Sequence, residues 1–117
     1  MTSANNKALV YRVYEAINAK DFAAMKELFT PNFVSHALED AGIESGEEAL
    51  KQASAAFPDQ RFVVEDVVVE GNKAALRVTI HGVPQQPPPI IMEIFRIENG
   101  QVAEVWGAGT LRLPSDA

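Results

Sequence analysis

Residues 90–98 read Ile-Ile-Met-Glu-Ile-Phe-Arg-Ile-Glu, and this run constrains the fold more than any other. In a β-strand successive side chains point to opposite faces, so Ile90, Met92 and Ile94 alternate with Ile91, Phe95 and Ile97. Both faces are therefore apolar, and a single layer of helices covers only one of them. Asn99-Gly100 follows at once and supplies positive φ at both central positions of a type I′ turn. Residues 101–113 form the returning strand of that hairpin. Upstream, the Val-rich run 61–70 turns through Gly71-Asn72 into a second returning strand over 73–82. Pro84, Pro87, Pro88 and Pro89 lack amide donors, so the segment holding them is read as a connecting loop.

The first half of the chain carries helical spacing instead. Leu9, Val10, Val13, Tyr14 and Ile17 recur on one stripe, which predicts a helix over residues 6–18 with Ser3 or Asn5 at its start. Asp21 caps a second, short helix bearing Phe22, Met25, Leu28 and Phe29, which Thr30-Pro31 closes. Residues 33–37 are a short strand candidate. Ser45 with Glu48 makes a capping box for a third helix over 45–56, with Ala49, Leu50, Ala53 and Phe57 inward and Pro58-Asp59 at its end. The expectation is one α+β domain over residues 1–117, three helices covering one face of a curved antiparallel sheet. The other face calls for a second copy of the chain, a homodimer.

Composition narrows the function. The chain has 117 residues, a formal net charge of −6 and scattered Lys and Arg, which argues against a nucleic-acid partner. With no cysteine, disulfides, thiolate metal sites and a Cys nucleophile are all excluded. No apolar run suits a leader or a bilayer span, so no membrane partner is expected and cytoplasmic residence is the default. No His-Glu-x-x-His spacing or glycine-rich nucleotide loop occurs. Ser35 and His36 are adjacent in a strand and point to opposite faces, which defeats a Ser–His nucleophile pair.

Four stretches resemble the SnoaL-like polyketide cyclase family within the nuclear transport factor 2-like superfamily. They are Tyr14-Glu-Ala-Ile-Asn-Ala-Lys-Asp21, Leu28-Phe-Thr-Pro-Asn-Phe-Val-Ser-His36, Phe57-Pro-Asp-Gln-Arg-Phe62 and Glu93-Ile-Phe-Arg-Ile-Glu-Asn-Gly-Gln-Val-Ala-Glu-Val-Trp106. The resemblance implies a cone-shaped half-barrel with a pocket at one end, and acid–base chemistry without metal or organic cofactor. Cyclases of this type close rings by aldol chemistry, and related ketosteroid isomerases move a proton beside a carbonyl. The family's cyclase motif ends His-Trp-Asp where this chain has Val105-Trp106-Gly107, and His36-Ala37 stands where relatives have His-Asp. Epoxide hydrolases of this fold use an Asp-Arg-Asp pocket, and here Arg77 and Arg96 show no aspartate partners in sequence.

Glu93 is the foremost candidate for chemistry. It interrupts an apolar strand and shares a face with Ile91, Phe95 and Ile97, where an ionised carboxylate is costly to bury. One reading puts it in the pocket with a raised pKa, as acid, base or hydrogen-bond donor. The other puts it on an outward face, paired with Arg77 or Arg96. His36 matches the strand-end histidine of the family and is the second catalytic candidate; the alternative is a structural bond to the acidic loop Glu39-Asp40. Tyr14 can aim its hydroxyl at a ligand or simply fill the core. Phe33, Phe57, Phe95 and Trp106 complete the substrate-binding expectation. The expected ligand is a small apolar or carbonyl-containing molecule, handled by a cofactor-independent cyclase or isomerase. The alternatives are a non-catalytic binder and a structural dimerisation module, the last favoured by a filled interior.

Overall fold

The structure, a computed structural model, describes residues 3–36 and 43–112, leaving aside the side chains of residues 43–46. Asn99 and Gly100 take φ values of 51° and 78°, the left-handed conformations that the hairpin requires. They join β4 (Ile90–Glu98) to β5 (Gln101–Gly109). Before them, β2 (Arg61–Glu70) and β3 (Lys73–His81) pair antiparallel from Arg61 opposite His81 to Glu70 opposite Lys73. The strand bounds for residues 61–70 and 90–98 agree with the sequence reading. The strand order is β1-β5-β4-β3-β2, so the doubly apolar β4 lies at the centre, flanked on both sides.

Two strand boundaries and one strand direction differ from expectation. The strand β1 (Phe29–Ser35) begins directly after α2, so Thr30 and Pro31 lie inside it. An edge strand tolerates a missing amide, and Pro31 is exposed there. Ala37, expected as its end, lies outside the described residues. Moreover β1 runs parallel to β5, which makes the sheet mixed rather than wholly antiparallel. A chain that passes through α3 and three more strands before reaching β5 is not bound to the antiparallel geometry of a hairpin. β5 stops at Gly109 rather than running on toward Leu113, which lies outside the described residues.

The helices are α1 (Ser3–Ala19), α2 (Phe22–Leu28) and α3 (Ile43–Ala56). Asp21 does cap α2: its Oδ1 accepts from the Ala24 amide at 3.1 Å. α3 begins two residues earlier than Ser45, so that serine is a helical position and not the cap. Leu9, Val10, Val13 and Tyr14 of α1 are buried against Leu76, Val78, Phe95 and Ile97 of the sheet. Each such aliphatic side chain contributes about 1.5–3 kcal/mol by leaving water.

Two asparagines fix α1 at its ends. Asn6 Nδ2 donates to the Gly71 carbonyl at 3.1 Å. Asn18 Nδ2 donates to the Phe62 carbonyl, and Asn18 Oδ1 accepts from the Phe62 amide, both at 2.8 Å. The Asn18 amide thus stands in for the missing neighbour of the edge strand β2. Bulges between Val64 and Asp66, and between Arg96 and Ile97, help bend the sheet around the helices. Among the described residues no helix is long and apolar enough to cross a membrane.

Candidate functional site

Curvature leaves an open hollow between sheet and helices. Its volume is about 420 Å³, with walls from all three helices, the sheet and Leu111. The walls are apolar apart from four side chains: Tyr14, Ser35, Gln60 and Glu93. β4 places Glu93 on the inner face because it alternates with Met92 and Ile94, which are 53% and 43% exposed on the outer side. α1 presents Tyr14 from above, one turn after Val10, with only 5% of its surface exposed. The Tyr14 hydroxyl donates to Glu93 Oε1, joining helix and sheet across the hollow. Phe62 packs near the phenol ring, 6.0 Å between centroids.

The electrostatics follow from burial. Glu93 touches water only through the hollow, and this desolvation raises its pKa above the ordinary glutamate range. The hydrogen bond from Tyr14 opposes the shift by favouring the carboxylate. Burial wins because moving a carboxylate out of water costs several kcal/mol, against about 1.5–3 kcal/mol for one hydrogen bond to a charged group. The Tyr14 phenol is pushed well above its usual value, first by burial and then by the Glu93 charge and hydrogen bond. The pair therefore offers a carboxyl that holds its proton more tightly than an ordinary glutamate, beside a phenol that stays a donor.

The sequence candidates divide between two faces. Glu93, Tyr14, Phe33 and Phe95 line the hollow together. Phe57 is buried but lines a separate groove with Pro84, Gln85 and Arg112, since it follows the end of α3. His36 and Trp106 do not line the hollow: their rings stack on each other, centroids 5.2 Å apart, beside Glu104 on the outer side. The cause is strand alternation, which turns Ser35 and Val105 inward and their neighbours His36, Glu104 and Trp106 outward. His36 Nε2 lies 2.5 Å from Glu104 Oε2, and Arg96 Nε donates to Glu104 Oε1 at 2.9 Å. Those two partners hold Glu104 below the ordinary range, His36 contributing more. The loop Glu39-Asp40, considered as the partner of His36, lies outside the described residues.

Arg77 and Arg96 do not reach Glu93. Arg77 Nε pairs with Asp66 Oδ2 at 2.7 Å, which corrects the expectation that it lacks an aspartate; the pair is exposed and on the outer face. Arg96 also meets Glu98 at 3.0 Å. Among the described residues no three of His, Asp and Glu gather closely enough to hold a metal ion.

Sequence reasoning passed over Ser35 and Gln60. Ser35 is buried on the inner face, and counting by twos from Phe33 would have found it. Gln60 follows the helix-stopping Pro58-Asp59, where no periodicity applies. Its Nε2 donates to Ser54 Oγ at 3.3 Å, while its Oε1 is buried without a partner.

The chain matches the SnoaL-like domain family over residues 10–105. Solved structures share its fold. A SnoaL-like polyketide cyclase from Agrobacterium tumefaciens is 16% identical, with a TM-score of 0.79 over 94% of this chain and 93% of that one. IdmH of Streptomyces antibioticus, a candidate polyketide cyclase, is 22% identical, TM-score 0.77, over 89% and 91%. A candidate ketosteroid isomerase from Kribbella flavida is 13% identical, TM-score 0.76, over 97% and 84%. At these identities the likeness establishes the fold alone. No curated protein matches the chain significantly.

The raised pKa sets a pH dependence. Glu93 holds its proton more tightly folded than unfolded, so its contribution is complete below the unfolded value and is lost as pH rises through the folded one. As pH rises above the unfolded value of about 4.3, urea midpoints of the wild type should decline relative to Glu93→Gln, which has no proton to lose. Parallel curves would mean that Glu93 is solvated.

Proposed function

The chain belongs to the SnoaL-like family, and on that footing we propose that it binds a small, mostly apolar carbonyl compound in the hollow and moves a proton beside that carbonyl. The observation that carries the proposal is the Tyr14–Glu93 pair, whose members are the only ionisable side chains on the hollow's wall among the described residues. A volume of about 420 Å³ falls within the usual range of small-molecule sites, about 300–1,000 Å³. It speaks against a filled interior, and so against a purely structural module.

Glu93 as carboxylate takes a proton from the carbon next to the carbonyl. The C–H electron pair moves into the C–C bond, and the carbonyl π pair moves onto oxygen. Tyr14 turns its hydroxyl from Glu93 to that oxygen and stabilises the enolate. Where a C=C bond adjoins that carbon, the enolate's electron pair returns through it, and the protonated Glu93 gives its proton to the far carbon as the double bond shifts, which is isomerisation. In the cyclase version the enolate carbon attacks a second carbonyl of the same molecule, and the new alkoxide takes the proton. Either sequence leaves Glu93 ionised and needs no cofactor. Ser35 and Gln60 supply polar points for orienting a ligand.

The outer face supports a homodimer. Val68, Ala75, Ile94 and Trp106 stand in one cross-strand row, and Val68 is 68% exposed. The flanking charges are already paired within the chain, Arg77 with Asp66 and Arg96 with Glu98 and Glu104. A second copy of the same face can therefore approach without burying an unpaired charge.

Two experiments test these readings. Incubating the protein with an apolar cyclic ketone in D₂O should give deuterium beside the carbonyl, detected by mass spectrometry. Glu93→Gln should slow that exchange by about 100-fold or more. Ketone binding without exchange would identify a binder instead. In sedimentation equilibrium the wild type should dimerise and Ile94→Lys should be monomeric; a wild-type monomer at every concentration would refute the interface.

A further inference from the structure

Glu93 and Gly107 are directly paired across the antiparallel β4–β5 ladder, both on the inner face. A Cβ built on Gly107 would stand 3.0 Å from Glu93 Cγ, 3.1 Å from the Met92 carbonyl oxygen and 3.5 Å from Glu93 Oε2. The backbone at Gly107 is not left-handed, so conformation does not demand glycine there. What glycine supplies at this position is space. The Glu93 side chain occupies that space, with Oε1 held by Tyr14 and Oε2 lying over the bare Cα of the opposite strand. Oε2 has no protein partner among the described residues, so it is the oxygen open to a ligand.

We infer that Gly107 is a positioning residue: the missing side chain lets the Glu93 carboxyl fold across β5, meet Tyr14 through one oxygen and present the other to the hollow. This inference rests on the proton-transfer reading of the same site and adds a geometric requirement to it. Before a ligand draws the Tyr14 hydroxyl away, the oxygen it meets is Oε2, on the β5 side above Gly107, because Tyr14 occupies the other. A methyl group at position 107 would meet Glu93 Cγ at less than ordinary contact distance and drive the carboxyl away from the phenol.

Gly109, also on β5, gives a matched control. A Cβ there would meet the Ile90 carbonyl oxygen at 3.1 Å and Ile91 Cγ1 at 3.4 Å, a similar crowding with no contact to Glu93. The test compares Gly107→Ala, Gly109→Ala, Glu93→Ala and the double variant Glu93→Ala/Gly107→Ala. Two readouts are used: urea unfolding, and the Glu93 titration followed by ¹³C NMR of labelled glutamate. Gly107→Ala should lower the folded-to-unfolded ratio about tenfold in the wild type, but less than about threefold once Glu93 is alanine. Its Glu93 should titrate further above ordinary glutamate, because the Tyr14 bond that favours the carboxylate is lost, while Gly109→Ala leaves the titration in place. Should Gly107→Ala not fold, a folded double variant still supports the assignment. Equal losses in both backgrounds, an unchanged Glu93 titration, or a double variant that also fails to fold would overturn it. Neither readout involves turnover, so a protein that exchanges no proton with ketones can still pass or fail.

Discussion

A carboxyl group held by a phenol inside an apolar hollow is the constraint around which the rest of this structure is arranged. Glu93 lies on the central strand and Tyr14 on the first helix, so their hydrogen bond exists only if α1 is docked on the sheet at one height and one rotation. Leu9, Val10 and Val13 set that rotation by burying one stripe of the helix. Asn6 and Asn18 set the height by bonding to backbone groups at Gly71 and Phe62. These contacts stabilise the fold, and they also hold in register two polar groups that would otherwise be costly inside a core. Packing and chemistry are thus joined through α1.

The sheet's two faces serve different ends. Inside, the alternation that brings Val105, Gly107 and Gly109 to the hollow leaves β5 nearly without bulk toward its end, which leaves room for the Glu93 side chain. Outside, the same alternation lines up Val68, Ala75, Ile94 and Trp106, then His36 stacked on Trp106 and tied to Glu104. The ion pairs on the outer face lie too near water to contribute much stability. Their effect is to leave the apolar row bordered by charges that are already matched.

The fold was legible because its signals were local. Asn99-Gly100, the Val-rich strand, the doubly apolar run over residues 90–98 and the helical stripe of α1 each encode their element without help from the rest of the chain. The edge strand was not, because Thr30-Pro31 reads as a stop, and only lateral pairing with β5 makes that segment extended. Facing followed the same division. Alternation grouped Glu93 with Ile91, Phe95 and Ile97 but left open which side that face met, whereas family resemblance suggested His36 and Trp106, and alternation put both outside. Counting by twos from Phe33 favours Ser35 over His36, a purely physical argument that outperforms the motif here. The Tyr14–Glu93 contact joins residues 79 positions apart, and no spacing rule reaches so far.

The most direct test is the protonation state of Glu93 itself. An infrared difference spectrum between the wild type and Glu93→Gln, taken at about pH 5.3, isolates this group where an unperturbed glutamate is roughly nine-tenths ionised. A carbonyl stretching band of a protonated carboxylic acid, present in the wild type and lost in the variant, is the result that burial beside Tyr14 requires. A difference spectrum containing only the carboxylate bands of a solvated glutamate would contradict the account of Glu93 as a buried carboxyl held beside Tyr14.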